Sequence, residues 1–187
     1  MSKAKIFLLA LSLLVLLSCK PEEKWETLFN EKDLTGWNTY IGPAWVATSD
    51  STVGRSDNPI GLNIDPLSVF SVVEVDGKPA IRISGEQWGG LSTGQEYSNY
   101  HLSLQFKWGE AKHKPRDKNK RDSGILYHAG GPHGADGGFW MRSQELQVQE
   151  GDCGDYWGVA GGIMDIPAKK TDEFYVYDPA AEKLVFS

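Results

Sequence analysis

Cysteine is scarce in this chain of 187 residues: Cys19 and Cys153 are the whole complement. A disulfide framework of the kind that staples small exported domains is excluded, so the fold must be held by burial. Histidine is sparse too, and His101, His113, His128 and His133 do not fall at a zinc-ligand spacing. Basic residues are outnumbered, 19 Lys plus Arg against 25 Asp plus Glu, for a net charge of −6. A chain of that sign lacks the electrostatic footprint of a nucleic-acid partner. The apolar run from Ile6 to Leu17 is shorter than the ~20 residues that cross a bilayer as a helix. No sustained helical repeat runs between Lys20 and Ser187, where alternation at period two recurs instead.

What is present begins with a leader. Lys3 and Lys5, the run Ile6 to Leu17, then Ser18 and Cys19 follow the plan of a secretory signal. Leu16-Leu17-Ser18-Cys19 resembles a bacterial lipobox, which implies cleavage before Cys19 and a lipid on its thiol. A plain signal followed by a chance cysteine is the alternative. "CKPEEKW" resembles the surface-export signal of Bacteroidetes lipoproteins. The expected organisation is a signal peptide over 1–18, a tether over 19–24 and one domain over 25–187. The expected location is the outer membrane, on its periplasmic or cell-surface face, with membrane contact through the lipid alone. Cys153 sits between Asp152 and Asp155, without the electropositive setting of a reactive thiol, and is read as a bystander.

The domain itself reads as all-β, a sandwich or jelly roll of short antiparallel strands joined by Gly-rich turns. In "FSVVEVDGKPAIRIS", Asp76-Gly77 separates two alternating runs, and Asp-Gly is a strong two-residue hairpin signal. "YHLSLQFKW" sets Leu102, Leu104, Phe106 and Trp108 on one face, predicting a strand with that face in the core. The charged segment "GEAKHKPRDKNKRD", 109–122, predicts a solvated loop, with Arg116 and Arg121 its residues of interest; a lid over a polyhydroxylated ligand is the alternative. Gly130-Gly131-Pro132 and Gly137-Gly138 bracket a second loop before the strand that contains Glu145.

That strand carries the chemistry. In "SQELQVQEGDCGDYWG", alternation puts Ser143, Glu145, Gln147 and Gln149 on one face and Gln144, Leu146 and Val148 on the other. The polar face is either the wet side of an ordinary sheet or a row of hydrogen-bonding groups for sugar hydroxyls. Long polar side chains are poor strand formers, which favours the second. Trp140, Tyr156 and Trp157 flank the strand and could offer aromatic platforms to a pyranose ring, although aromatics are also ordinary core material. Glu150, Asp152 and Asp155 form an oxygen-rich loop that could hold a hard cation such as calcium or magnesium, or simply cap the sheet with Asx turns. Glu145-x-Gln147-x-x-Glu150 has the layout of the laminarinase-like signature Glu-x-Asp-x-x-Glu with Gln in place of the central Asp. A retaining glycosidase needs its two carboxyls about 5 Å apart. Residues five apart on a regular strand face opposite ways, so a β-bulge would be required.

Taken in order, "WETLFNEKDLTGWN", "GGLSTGQEYSNYHLSLQFKWG", "KRDSGILYHAGGPHG" and "FWMRSQELQVQEGDCGDYW" resemble the 3-keto-disaccharide hydrolase domain family from about Trp25 onward. The resemblance implies a concanavalin A-like jelly roll and a carbohydrate partner, a glycoside already oxidised at C3. It implies cleavage by removal of the C2 hydrogen, passage through an enediolate, expulsion of the C1 oxygen and addition of water. On that footing Glu145 and His128 are the expected proton-transfer groups, Arg121 or a cation the stabiliser of developing charge, and Gln147 the residue that orients the sugar. It also implies further strands after "DEFYVYDPAAEKLVFS", so the sandwich is expected to lack C-terminal strands. A non-catalytic carbohydrate-binding module is the competing expectation, and ordinary laminarinase-like hydrolysis the third.

Overall fold

A computed structural model describes residues 24–50 and 52–186; the expected leader and lipobox, with Cys19, lie outside them. Among the described residues there is no helix, and every strand pairing is antiparallel, the all-β architecture expected of a sandwich.

β1 (Trp37–Ala47) is the centre of the first sheet, between β2 (Val53–Leu62) and β5 (Gly89–Thr93). It is buried from Thr39 to Pro43 because both of its faces are covered. On one side Ile41 and Val69, both fully buried, pack with Phe70, and Leu34, Ile60 and Leu91 close round them. On the other, Tyr40 donates its hydroxyl to the Gly138 carbonyl at 3.2 Å, and Gly42 lies where any Cβ would run into the Phe139 ring. Pro43 stands opposite Pro59 where the β1–β2 ladder shifts register. Two residues without an N–H can face each other there because the ladder is already irregular.

β3 (Phe70–Val75) and β4 (Lys78–Ile83) form a two-stranded hairpin closed by Asp76 and Gly77, with φ of 51° and 75°. Positive φ at both central positions is the type I′ geometry that the Asp-Gly pair predicts. The site sheet has β7 (Arg142–Gln149) between β6 (Asp122–Gly130) and β8 (Asp152–Val159). Beyond it, β9 (Met164–Lys170) pairs with β10 (Tyr175–Tyr177) and β11 (Lys183–Phe186).

The segment 101–108 departs from its sequence pattern. It joins no strand ladder, and Leu102, Leu104 and Phe106 are 40%, 50% and 54% exposed. Alternation does not supply a neighbouring strand. Tyr100, Leu102 and Leu104 instead border an open cleft of about 490 Å³ whose far wall is Ile125, Tyr127 and Leu146, and Ser103 borders the same cleft.

Candidate functional site

The registers of the β6–β7–β8 sheet sort its residues onto two faces. Asp122 pairs with Gln149, Gly124 with Gln147 and Leu126 with Glu145, so these six share a face. Trp157 of β8 stands opposite Glu145 and is 56% exposed on that same face. The other face carries Ile125, Tyr127, Leu146 and Tyr156, and it borders the apolar cleft.

Glu145 is half-buried at the centre of the polar face. Burial pushes its carboxyl above the usual glutamic range, and the negative charges of Asp122 and Asp136 push it further in the same direction. Asp136 acts on it through charge from the β6–β7 loop, where its N–H donates to the Trp140 carbonyl at 3.0 Å. Beside Glu145 on the face, Gln147 holds its Oε1 buried with no hydrogen-bond partner in the protein. A buried acceptor of that kind is suited to a donor brought by a ligand. A carboxyl of raised proton affinity, an amide with an unpartnered oxygen and an exposed indole thus lie on one face. That set can exchange a proton with a bound polar molecule and orient it.

Arg121 is committed elsewhere. Its Nη1 donates to Glu150 Oε1 at 2.7 Å, its backbone N–H to Glu150 Oε2 at 3.1 Å, and its Nη2 to the Glu110 carbonyl at 2.8 Å. Lys112 approaches the same carboxylate at 3.5 Å, and Arg116 pairs with Asp122 at 2.9 Å. The charged segment 109–121 is therefore tied down by ion pairs through Lys112, Arg116 and Arg121. The Arg121 backbone N–H, with the Arg121 and Lys112 charges, holds the Glu150 carboxyl below the usual glutamic range. Its folded-state pKa being depressed, Glu150 adds stability above its unfolded pKa, and that contribution fades as pH falls through the lower folded value. Glu150→Gln is accordingly expected to loosen 109–121 at neutral pH. In the wild type the same loosening should set in only below the usual glutamic range. Hydrogen exchange over the segment, corrected for intrinsic rates, checks both; equal protection in the two proteins at neutral pH would show that the tie is unimportant.

The other expected site residues are dispersed. His128 has a φ of 53° at the β6 irregularity, receives its contacts from Tyr100 and Tyr127 at ring separations of 5.6 and 5.4 Å, and has its N–H bound by the Tyr100 hydroxyl at 3.3 Å. Both tyrosines line the apolar cleft, so the structure places the His128 ring on the Leu146 side of the sheet and does not bring it to Glu145. The positive φ and the register shift between Tyr127 and Gly130 fall together here, where β6 leaves its alternation. Tyr156 is on that far side too, its hydroxyl bound to Gln144 Oε1. Trp140 stacks on Trp88 at 6.1 Å and tilts against Phe139 at 5.5 Å, an aromatic packing role. Gln149 shares the Glu145 face at its end, opposite Asp122 and Asp152. Asp155 is exposed in the irregular stretch of β8. Glu150, Asp152 and Asp155 are not assembled round a common point, and among the described residues no three His, Cys, Asp or Glu side chains come together as cation ligands. Glu150, held by two cations, is already satisfied.

Three residues of the site were not singled out by the sequence. Asp122 belonged to the charged segment and could have been placed by extending the β6 alternation one turn of the pleat. Asp136 lay in a Gly-rich loop with no periodic signal. Gly124 carries no side chain for alternation to place.

A family model described as the 3-keto-alpha-glucoside-1,2-lyase-like domain matches residues 24–183. No curated protein and no solved structure matches the chain.

Proposed function

We propose that this chain, which belongs to the 3-keto-alpha-glucoside-1,2-lyase-like family, cleaves the glycosidic bond of glycosides whose sugar carries a ketone at C3, with Glu145 as the base. The observation that carries the reading is the half-buried Glu145 carboxyl with its raised proton affinity, on one face with the buried, unpartnered Gln147 Oε1. A C3 ketone acidifies the C2 hydrogen. Glu145 takes that hydrogen as a proton, and the electron pair of the C2–H bond passes into an enediolate shared with the C3 oxygen. The C1–O bond then breaks as the C1–C2 double bond forms, and the departing oxygen takes up a proton; water adding across the double bond completes a net hydrolysis. The Gln147 amide can accept from a sugar hydroxyl and donate to another oxygen. Trp157 offers its exposed face to the ring.

Glu150 does not suit the acid role of a retaining glycosidase, because Arg121 and Lys112 favour its ionised form. A binding module is the second reading, and the exposed Trp157 opposite Glu145 favours it, since stacking and an open amide suffice to hold a sugar. In either case a lipid on Cys19 would tether the domain to the outer membrane. Incubating the soluble domain with a 3-keto-glucoside and its unoxidised parent in parallel separates the readings. Aglycone release from the keto sugar alone is the expected result. Release from both would point to ordinary hydrolysis, and tight binding without release would leave the module.

A further inference from the structure

Gly124 has no conformational reason to be glycine. It sits inside the β6 ladder opposite Gln147, and its φ is not in the left-handed region. The reason lies across the strand pair. A Cβ at position 124 would overlap the Glu145 Oε1 and fall 2.6 Å from its Cδ and 2.8 Å from its Cγ, and these three atoms are its nearest neighbours. Glu145 is directly opposite Leu126, so its side chain leans diagonally along the face to occupy the space above Gly124.

We propose that Gly124 is a positioning residue for Glu145: its missing side chain leaves the space on β6 into which the Glu145 carboxyl folds, holding that carboxyl against the sheet instead of out in solvent. The proposal rests on the reading of Glu145 as the base and adds what sets its environment. The groups around the carboxyl are consistent with this dependence. Asp122, two residues before Gly124 on the same face, and Asp136 from the β6–β7 loop supply negative charge, Arg116 is paired to Asp122, and β8 presents the uncharged Trp157. Moved outward by a methyl group, the carboxyl would lose burial first, and burial is the main cause of its raised proton affinity.

The test is Gly124→Ala with the Glu145 carboxyl followed by NMR titration of carbon-13-labelled protein, beside the pH profile of kcat/KM on a 3-keto-glucoside. The expected result is a Glu145 midpoint that drops toward the ordinary glutamic value while other carboxyls stay put, with the acidic limb of the profile moving down in parallel. An unmoved Glu145 midpoint in a folded Gly124→Ala protein overturns the proposal. Wild-type protein that titrates as described yet releases no aglycone would instead overturn the catalytic reading alone. Should Gly124→Ala fail to fold, the double variant Gly124→Ala/Glu145→Ala decides, because it removes the only side chain among the three nearest contacts. The double variant is expected to melt where Glu145→Ala melts, and one that stays unfolded would show that the glycine serves some other purpose.

Discussion

Glu145→Gln is expected to cut aglycone release from a 3-keto-glucoside by roughly 10²–10⁴-fold, the loss that accompanies removal of a positioned general base. The substitution keeps the length and shape of the side chain, so it still fits the space above Gly124. Affinity for the keto sugar should therefore change little, since Gln147 and Trp157 are untouched. A binding module predicts retained affinity as well, but it predicts no turnover to lose. Equal turnover in the wild type and the variant would remove Glu145 from the mechanism.

The same residue fixes a pH dependence of definite sign. A base works ionised, and burial with Asp122 and Asp136 nearby makes ionisation of Glu145 harder. Activity should fall with decreasing pH from a midpoint above the usual glutamic range. The stability consequence runs the opposite way from that of Glu150. Because the folded protein holds the Glu145 proton more tightly than the unfolded chain does, this group favours folding at low pH, and the benefit is lost as pH rises through the raised value. Glu145→Gln should thus be more stable than the wild type at neutral pH while being far less active, a trade expected of a functional carboxyl kept half-buried.

Local features of this fold were legible in the sequence, and features that depend on distant partners were not. Asp76-Gly77 closes its hairpin with its own backbone geometry, and the alternation of Glu145, Gln147 and Gln149 follows from the pleat alone. The segment 101–108 shows the limit: alternation assigns sides, whereas pairing needs a neighbouring strand at the right register. Glu150 is decided by Arg121, 29 residues away, so its charge partner could not be read from its own surroundings. Nothing near His128 in sequence announces a φ of 53° or the register shift between Tyr127 and Gly130, where β6 leaves its alternation. Gly124 is a similar case, a glycine whose reason lies in a carboxyl on the adjacent strand.

Phe139→Ala should produce the largest loss of stability, about 3–5 kcal/mol, as buried aromatic-to-alanine changes do. Phe139 is only 3% exposed and fills the junction between β1 and the β6–β7 loop. Its ring lies 5.2 Å from Trp88 and 6.2 Å from Trp45, and the Arg55 guanidinium sits 4.5 Å above it. Stiff neighbouring rings cannot collapse into the space it leaves, which puts the cost at the cavity-forming end of the range. Set against a total of about 5–15 kcal/mol for an ordinary domain, that is enough to approach unfolding. The loop would also lose its anchor, and with it the fixed placement of Asp136, whose charge raises the proton affinity of Glu145, so the acidic limb of the activity profile should move to lower pH. Urea unfolding followed by tryptophan fluorescence measures the first effect and aglycone release the second. Phe106→Ala is the control: at 54% exposure on an unpaired segment, it should shift stability by no more than about 0.5 kcal/mol. Similar costs for the two phenylalanines would mean that the Trp45, Trp88 and Phe139 cluster is not what fastens the site loop to β1.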